Sequence, residues 1–414
     1  MKRRVVITGW GLVTSLSNDV DDCWQRVLNG ESGIHAIETF KNDDIKVNIG
    51  GDVHGWDSSD VLGQKENKKL DRSSQFAMVA AGKAFESAKF EPQGSDNAAR
   101  HGCVLGSGIG GLTTISEQIE RLVLKGPGRV SPMTIPKLML NAGGGNIAIK
   151  HGLRGPNYSV ATACASATNA MGNALELVQS GICDLVVTGG TEAAMTRLGL
   201  SAFANMKALS MSDGDPAKAS RPFDKDRNGF VFSEGAGVLL FEDLEYAQQR
   251  GANILAEVVG FGSSCDAGHI TSPDEQGVGA AAAMQAALDN AQVGADAIDY
   301  INAHGTSTPL GDKAETRAVK TVFGDHAHQV SISSTKSQLG HSLGASGGIE
   351  LVLTVKAILE ATVPPTINLD TPDPDCDLDY TPHTPKQRDI NYAMSNSFGF
   401  GGHNASIIVK KFSA

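Results

Sequence analysis

The chain has 414 residues, of which 41% are hydrophobic and 20% are charged, and its formal net charge is −11. This length predicts two or three domains with a globular composition, and the negative charge argues against nucleic acid or an anionic membrane as the main partner. No stretch approaches the roughly 18 consecutive apolar residues of a membrane span, so we expect no membrane partner.

The first predicted element is a strand at Val5–Thr8. The basic residues before it resemble the start of a secretion signal, but Gly9, Trp10 and Gly11 interrupt the apolar run and no cleavage motif follows. The six cysteines show no CxxC and no metal spacing, which in a chain of this size indicates reduced thiols. We therefore expect a cytoplasmic protein with no metal and no cofactor.

Runs rich in Val and Ile alternate with helical patterns along the chain, which is the signature of an α/β fold. After Val5–Thr8 the predicted strands are Gly102–Leu105, Tyr158–Ala161, Leu185–Thr188, Val231–Phe241 in two pieces, Ile254–Gly260, Tyr300–Ala303, Val330–Ser333, Asn391–Ser395 and Ala405–Lys410. The predicted helices are Ser73–Ala88, Thr113–Leu124, Ser166–Ser180, Val278–Ala291, Lys313–Val322 and Ile349–Leu359.

A weak internal duplication is also visible. The segment "RVVITGWGLVTSL" near residue 4 resembles "ILAEVVGFGSSC" near residue 254, and each is a strand that runs into a Gly-x-Gly turn. The duplication predicts two α/β halves that are joined near Gly251.

The stretch "YSVATACASATNAMGNAL" (Tyr158–Leu175) places Cys164 where a predicted strand ends and a predicted helix begins. A thiol attacks as its thiolate, and a helix N-terminus favours the thiolate and can bind an oxyanion. The small neighbours Ala163, Ala165 and Ser166 leave room for a substrate. The alternative is a buried cysteine at a tight packing point.

Two histidines also follow predicted strands. His304 lies in "INAHGTSTPLGD", and "SSTKSQLGHSLGASGGIE" contains Lys336 and His341. The carboxyl ends of strands are where open α/β sheets bind ligands. Each histidine could instead be a satisfied structural residue. Together with Cys164 they favour covalent catalysis assisted by neutral imidazole.

Three further patterns resemble functional motifs but lack the context that those motifs need. "GSGIGG" at residues 106–111 has the spacing of a dinucleotide loop, but no second strand ending in Asp or Glu follows about 20 residues later. "GASGG" places Ser346 in a G-x-S-x-G pattern without the strand that a hydrolase elbow needs. His326 and His328 lie in a polar connection without companion ligands, which indicates a solvated loop.

Four motifs in this order resemble the β-ketoacyl-acyl-carrier-protein synthases, and the type II elongating enzymes of bacterial fatty-acid synthesis in particular. They are "TACAS", "AHGTSTPLGD", "STKSQLGHSLGASGGIE" and "NSFGFGGHN", and "RPFDKDRNGFVFSEGAGVLLFEDLEYAQQRGANILAEVVGFGSSCDAGHITSP" (Arg221–Pro273) is also similar. The resemblance covers essentially the whole chain. It implies a thiolase-like fold of five αβαβα layers in two similar halves, residues 1–251 with the cysteine and residues 252–414 with the histidines. It also implies a homodimer.

The resemblance implies a role for each catalytic candidate. Cys164 would carry the acyl chain as a thioester, and the N–H groups of Cys164 and Phe400 would form the oxyanion hole. His304 and His341 would donate to the thioester oxygen of malonyl carrier protein while carbon dioxide leaves and the enolate attacks the acyl group. Lys336 paired with Glu350 would orient these groups. The activity would be 3-oxoacyl-acyl-carrier-protein synthase, which lengthens an acyl chain by two carbons without a cofactor.

Further positions match substrate contacts of the family. Thr306 and Thr308 match contacts to the pantetheine arm, and Phe400 also matches a gating residue at the pocket mouth. The positions expected near the substrate otherwise are Ile109, Phe203, Phe230, Phe398 and Thr271. Acyl carrier proteins are acidic, and the basic residues expected to contact one are Lys65, Lys68, Lys69, Lys207 and Arg129, with Arg72 in the same basic stretch. The alternative for these basic residues is an ordinary solvated face.

The chain departs from the family pattern at a few positions. Ala165 stands where a hydroxyl residue is usual, Gln338-Leu339 replaces Met-Thr, Ser342 replaces Leu, and His403 stands where many members have Thr. These departures leave open the chain-length preference and a specialised lipid or polyketide pathway.

The remaining family alternatives fit the sequence less well. The glycine loop "GFGGHN" lacks the second cysteine of the degradative thiolases, and His341 differs from the Cys-His-Asn set of starter-type synthases. A non-catalytic partner of the chain-length-factor type would lack Cys164.

Overall fold

The computed structural model describes residues 2–40 and 44–413. Its strands are β1 Val5–Val13, β2 His35–Ala36, β3 Ile49–Gly50, β4 His101–Gly106, β5 Asn157–Val160, β6 Leu185–Glu192, β7 Gly235–Asp243, β8 Ala256–Cys265, β9 Tyr300–Asn302, β10 Ser331–Ser333, β11 Thr362–Val363, β12 Lys386–Gln387, β13 Tyr392–Gly399 and β14 His403–Lys410. Its helices are α1 Val20–Leu28, α2 Ser59–Leu62, α3 Gln64–Asn67, α4 Arg72–Ser87, α5 Leu112–Lys125, α6 Thr134–Leu138, α7 Ala142–His151, α8 Ser166–Gln179, α9 Arg197–Asn205, α10 Leu244–Gln249, α11 Val278–Ala291, α12 Pro309–Phe323, α13 Lys336–Leu339 and α14 Ser346–Leu359.

The strand order repeats the same topology twice. The ten main strands run β10-β9-β13-β14-β8-β1-β7-β6-β4-β5. In each set of five, the first strand pairs antiparallel with the fifth, the fifth antiparallel with the fourth, the fourth parallel with the second, and the second parallel with the third. Among the described strands, the two sets join where β1 pairs with β8 over three residues. The duplication in the sequence therefore corresponds to a duplicated sheet topology.

Two buried helices separate the two sets of strands. Helix α8 packs on β4 and β6 of its own set and also on β8 and β14, while α14 packs on β13 and also on β6 and β7. Residues 346–358 of α14 are all buried, as expected for a helix covered on both sides. Helices α4 and α7 cover the outer face of the first set, and α11 covers that of the second. The architecture is the thiolase-like αβαβα arrangement that the family resemblance implied.

Paired glycines allow the outer helices to pack closely on the strands. A Cβ atom on Gly9 or Gly11 would collide with a carbonyl oxygen of α4, and Gly260 and Gly262 face α11 in the same way. These glycines lie inside β1 and β8, so the prediction that each Gly-x-Gly forms a turn after the strand is wrong. The apolar run ends at Gly9 in the sequence because a backbone contact there excludes a side chain.

Most other predicted elements are confirmed within a few residues. The first piece predicted within Val231–Phe241 forms only isolated bridges, such as Phe232 to His341. Helices α1, α7, α9 and α10 were not predicted from the sequence. In the stretch "TPDPDCDLDYTPHTP", Cys376 is buried and Asp373 pairs with Arg227, so this segment is not simply a surface loop. Among the described residues, no helix combines the length and hydropathy of a membrane-crossing segment.

Candidate active site

Cys164 lies in a tight junction between β5 and α8. Ala163 has a left-handed backbone with φ of 50°, and Thr162 and Cys164 form an isolated bridge across it. The Ser166 hydroxyl donates to the Ala163 carbonyl and accepts from the Thr162 N–H, which holds the junction. A small residue at 163 suits a backbone conformation that most side chains avoid.

His341 contacts the sulfur of this cysteine. Its Nε2 lies 3.0 Å from Cys164 Sγ, and its Nδ1 lies 3.0 Å from Ser346 Oγ. Ser346 begins α14 after a 3₁₀ turn at Leu343–Ala345, so G-x-S-x-G here is not a strand-to-helix elbow. The Ser346 hydroxyl can accept from Nδ1–H, which leaves Nε2 free to take the thiol proton, or donate to Nδ1, which holds the proton of a neutral imidazole on Nε2.

His304 completes the group from the end of β9. Its ring centroid lies 5.4 Å from that of His341, at nearly right angles, and 5.7 Å from that of Phe398. The backbone N–H groups of His304 and Gly305 donate to the two carboxylate oxygens of Glu315 at 2.9 and 2.8 Å. Within the described residues, His304 Nδ1 is buried without a hydrogen-bond partner. Backbone contacts to α12 therefore position this histidine.

Burial and one buried lysine set the protonation of the site. Burial lowers the pKa of His304 and of His341 well below 6.5, and the charge of Lys336 lowers both further. Burial raises the pKa of Cys164 to about 12, against the lowering effects of Lys336 and of the N–H groups of Phe400 and Cys164. The position of Cys164 beside a helix end predicts a favoured thiolate. In this site burial outweighs that effect, so the thiol needs a base, and neutral His341 is in contact.

The same N–H groups define a place for an oxyanion. The backbone N–H groups of Cys164 and Phe400 both act on the sulfur. Gly399 makes this approach possible, because a Cβ there would lie 2.9 Å from the Cys164 nitrogen. Two convergent N–H groups beside a nucleophile are the arrangement that stabilises a tetrahedral oxyanion.

Lys336 and Glu350 form a buried ion pair behind the histidines. Lys336 Nζ donates to Glu350 Oε1, and each side chain is 3% exposed. Neither residue lines the cavity at Cys164. The pair therefore acts on the site through its charge, not through contact with a substrate.

The remaining substrate candidates line one cavity with Cys164 and the two histidines. Its volume is about 590 Å³ and its surface is mainly apolar. Phe203 and Phe230 meet edge to face at 5.5 Å, and the Phe230 ring lies 5.3 Å from His341. The predicted positions on this wall are Ile109, Phe203, Phe230, Thr271, Thr306, Thr308, Phe398 and Phe400.

The basic candidates lie on the surface at more than one place. Lys207 is exposed and lines the cavity. Lys65, Lys68, Lys69 and Arg129 are exposed too, and Lys69 pairs with Glu66. Arg72 differs, because its guanidinium donates to the buried carboxylate of Glu234 and is not part of an open basic surface.

Glu192 is a site residue that was not predicted from the sequence. Its carboxylate accepts hydrogen bonds from Gly108 N, Ile109 N, Gly344 N and the Ser107 hydroxyl. The glycine-rich loop "GSGIGG" thus binds this side chain with the N–H groups that a dinucleotide loop would offer to phosphate. Glu192 joins the loop of Ile109 to the turn after His341, and an acidic residue at the end of a buried strand was the available signal.

Three of the sequence departures have structural roles. Gln338 is buried and donates to the carbonyls of Val27 and Pro365, and Leu339 is buried beside it. Ser342 Oγ lies 3.2 Å from Ser346 Oγ. Ala165 is fully buried, and nothing in the structure explains the absence of a hydroxyl there.

Two family models match the chain. The beta-ketoacyl synthase N-terminal domain matches residues 2–247, and the C-terminal domain matches residues 255–370. The 3-oxoacyl-[acyl-carrier-protein] synthase 2 of Synechocystis sp. is 48% identical over 411 residues, or 99% of each chain. The Staphylococcus aureus protein of the same name is 46% identical over 413 residues, which cover 100% of this chain and 99% of the relative.

A solved structure shows the same fold over the full length. It is described as a type II PKS acyl-carrier protein in complex with its ketosynthase bound to the hexaketide. Its matching chain superposes with a TM-score of 0.92 at 33% sequence identity, with 100% of each chain covered.

Proposed function

The chain belongs to the β-ketoacyl synthase family and is a condensing enzyme of the acyltransferase class that elongates fatty acids, and we propose that Cys164 holds its growing acyl chain. The observation that carries this assignment is the 3.0 Å contact between His341 Nε2 and Cys164 Sγ, beside His304 and at the wall of an apolar cavity. The overall reaction joins an acyl thioester to malonyl-acyl-carrier protein and releases carbon dioxide.

The first step is acyl transfer to the cysteine. Cys164 Sγ attacks the carbonyl carbon of acyl-acyl-carrier protein, and its proton passes to the neutral His341 that it contacts. The negative charge that develops on the carbonyl oxygen is stabilised by the N–H groups of Cys164 and Phe400. The thiolate of the carrier's phosphopantetheine leaves and takes this proton from His341, which becomes neutral again, and a carbon–sulfur bond to Cys164 replaces the one that breaks.

The second step is decarboxylation of malonyl-acyl-carrier protein. The bond between the α-carbon and the carboxylate breaks, carbon dioxide leaves, and the electron pair moves into an enolate of the thioester. Nε2–H groups of His304 and His341 donate to the enolate oxygen. Neutral donors suit this step, because charge appears on the oxygen only as the bond breaks.

The third step forms the new carbon–carbon bond. The enolate carbon attacks the acyl carbon on Cys164, the carbon–sulfur bond breaks, and the Cys164 thiolate that leaves takes up a proton from solvent. The 3-oxoacyl product leaves on the carrier protein, two carbons longer. Burial keeps both histidines neutral, and the positive charge of Lys336, which is paired with Glu350, adds to that effect.

The cavity supports an acyl chain and a pantetheine arm as occupants. Thr306 and Thr308 offer hydroxyls at its wall, while Ile109, Phe203 and Phe230 offer an apolar surface beside the sulfur. Burial of each methylene is worth about 0.8 kcal/mol, which is enough to discriminate chain lengths.

The partner that we propose is an acyl carrier protein. Lys207 lies exposed at the cavity wall, where it can pair with an acidic helix as the pantetheine arm enters. Lys65, Lys68, Lys69 and Arg129 remain weaker candidates, because no described contact links them to the cavity. Lys207→Glu tests the Lys207 assignment through the KM for acyl-acyl-carrier protein.

A homodimer is the assembly that fits the exposed surface. Strand β5 is the edge of the ten-stranded sheet as described. Apolar side chains stand exposed on the elements before it, with Ile149 81%, Val123 75% and Ile135 61% exposed. An unpaired edge strand beside exposed apolar residues is a surface that a second copy can cover.

We further propose that the two halves divide at residues 251/252 and that the protein works in the cytoplasm. The repeated strand order supports the first proposal, because β7 ends the first set and β8 begins the second. The six cysteines support the second, because none of them forms a disulfide.

The experiment that tests the assignment follows the acyl group. After incubation with acyl-acyl-carrier protein, mass spectrometry should find the acyl mass on the Cys164 peptide, and Cys164→Ala should abolish it. Cys265→Ala is the matched control, because Cys265 is the exposed cysteine. An unmodified Cys164 peptide, with malonyl-acyl-carrier protein intact after long incubation, would contradict the proposal.

A further inference from the structure

A second group of chemically reactive side chains lies outside the catalytic cavity, beside the hairpin of β2 and β3. One ligand atom each from His35, Asp52 and His54 can be chosen so that all three lie within 4.8 Å of one another. His35 Nε2 is 2.9 Å from Asp52 Oδ1. The spacing of these residues matches no metal motif, so no metal site is predicted here from the sequence.

The strand register explains how the group forms. His35 pairs with Gly50 across the hairpin, so Asp52 continues the same face diagonally beside it. His54 follows two positions later, where its side chain is 59% exposed. The hairpin therefore delivers a half-buried imidazole, a buried carboxylate and a solvent-accessible imidazole to one place.

Asp52 has one close partner, His35, and raises the pKa of that imidazole, but it has no correctly directed hydrogen bond. Its side chain is fully buried, and neither oxygen accepts a hydrogen bond within the described residues. His35 Nε2 is close to the carboxylate, but it too lacks a properly directed hydrogen bond. A buried carboxylate without hydrogen bonds is unfavourable unless a cation binds it.

The neighbouring cation is already engaged. Arg72 donates to both carboxylate oxygens of Glu234 and to the carbonyl of Val53, the residue after Asp52. Two buried carboxylates thus share the neighbourhood of one arginine, and Asp52 raises the pKa of Glu234 in addition to the larger effect of burial. A divalent ion at Asp52 would supply the missing positive charge.

We propose that His35, Asp52 and His54 bind a Zn²⁺ ion. Two imidazole nitrogens and one carboxylate oxygen are a ligand set that zinc takes readily, with bonds of about 2.0–2.2 Å and a fourth position for water. The three ligand atoms lie within 4.8 Å of one another, which is near enough for one ion to bind all three. Glu38, whose Oε2 lies 3.6 Å from His54 Nε2, stands where it can hold that water or bind directly.

The ion would link His35 on the hairpin to Asp52 and His54 in the segment after it. Ile37 and Ile49 flank the site and pack in one apolar cluster with Phe230 and Phe232, next to the acyl cavity. Fixing this hairpin would stabilise one wall of that cluster. None of the three ligands lines the cavity, so the ion takes no part in the condensation.

The proposal is tested with Co²⁺ as a spectroscopic substitute for Zn²⁺ on the tag-free full chain. We expect one Co²⁺ per chain, with visible d–d absorption and no thiolate charge-transfer band, and Zn²⁺ should displace it. Added Zn²⁺ should raise the Tm in proportion to the logarithm of its concentration. We expect each ligand variant to weaken Co²⁺ binding by more than about tenfold: His54→Ala, His35→Ala and Asp52→Asn. Loss of a residue that only supports a metal ligand already weakens binding by about tenfold or more, and loss of a ligand itself should cost more.

His383→Ala is the matched control, because His383 Nε2 also lies beside a carboxylate, 3.7 Å from Asp370, but has no second imidazole. It should bind Co²⁺ like the wild type. Absence of binding would indicate a plain His35–Asp52 ion pair and overturn the proposal. A thiolate band that His54→Ala leaves unchanged would overturn it too, because the metal would then lie at a cysteine. Acylation of Cys164 in the His54→Ala variant reports separately on the catalytic assignment.

Discussion

His341 Nε2 lies 3.0 Å from Cys164 Sγ, although 177 positions separate the two residues in the chain. Cys164 follows the third strand of the first topological set, and His341 follows the third strand of the second. The repeated fold therefore brings the ends of equivalent strands to one point. His304 follows the second strand of its set and meets His341, not the sulfur.

This difference in contacts predicts different defects for the two histidines. His341→Ala should slow both the acylation of Cys164 and the decarboxylation of malonyl-acyl-carrier protein, by about 100-fold or more for each step, which is the usual contribution of a positioned proton-transfer group. His304→Ala should lose decarboxylation to a similar extent while acylation stays near the wild-type rate. Single-turnover acylation measured by mass spectrometry and release of labelled carbon dioxide separate the two steps. His383→Ala controls for removal of an imidazole, and equal acylation rates in the two catalytic variants would refute the distinction.

The buried charge of Lys336 predicts a shift in the pH profile. Burial, and then Lys336, keep the pKa of His341 well below 6.5, so wild-type acylation should not fall as the pH drops from 8 to 6.5. Lys336→Met/Glu350→Leu removes the charge and should raise that pKa, which moves the acid limb of the acylation rate to higher pH. The paired change is needed because breaking a buried ion pair on one side destabilises a protein by about 3–5 kcal/mol.

The matched control for this shift is the pH profile of His304→Ala, which keeps Lys336. Its acid limb should stay at the wild-type position. A double variant that is folded by circular dichroism and has an unchanged acid limb would show that Lys336 does not tune His341.

The proximity of Cys164, His304 and His341 could be predicted from the sequence better than their surroundings could, and the reason is physical. Cys164, His304 and His341 each follow a strand, and strand ends in an α/β fold converge, so their meeting could be anticipated from the chain. The side chains that hold these three residues in place could not be predicted in this way. Glu192 is a single acidic residue at the end of a buried strand, and Glu315 lies inside a helix and accepts hydrogen bonds from backbone N–H groups. Such contacts depend on tertiary packing and leave no local pattern.

The same limit applies to the fold. Glycine breaks an apolar strand pattern, so Gly9 and Gly11 predict a turn, whereas the cause of both glycines is the approach of α4 to β1. The burial of Cys164 also reverses a local effect: its place beside α8 favours a thiolate, but its surroundings raise the pKa to about 12. Local electrostatics can be anticipated from the chain, whereas desolvation requires the packed structure.

The hydroxyl of Ser346 lies 3.0 Å from His341 Nδ1, so we expect it to influence which nitrogen of His341 carries the proton. Ser346→Ala leaves this buried nitrogen without a donor, so part of the His341 population should carry its proton on Nδ1. We expect decarboxylation to fall about tenfold, equivalent to about 1.4 kcal/mol. Nitrogen-15 NMR of labelled histidine should show the change in tautomer, and Ser346→Thr should restore both signals. An unchanged His341 spectrum in Ser346→Ala would remove this positioning role.

The raised pKa of Glu192 makes the free energy of unfolding depend on pH. Burial raises the pKa of this carboxyl from 4.5 to about 7, against the lowering effect of hydrogen bonds from Gly108 and Ile109. The folded protein therefore binds the Glu192 proton more tightly than the unfolded chain does. Its contribution to stability is fully present below about pH 4.5 and is lost as the pH rises through about 7. At about 1.4 kcal/mol per pKa unit, the loss reaches about 3 kcal/mol across this window.

Glu192→Gln removes this titration, so its free energy of unfolding should fall less steeply between pH 5 and 7.5 than that of the wild type. Denaturant titrations at a series of pH values give the slope, and the slope decides the matter even if the amide lowers stability at every pH. Asp312 is the matched comparison, because burial raises its pKa to about 7 as well. Asp312→Asn should flatten the curve by a similar amount and the double variant by the sum, since the two carboxyls have no described contact. A Glu192→Gln slope equal to that of the wild type would mean that the loop amides keep Glu192 ionised in the folded state, with its charge next to Cys164.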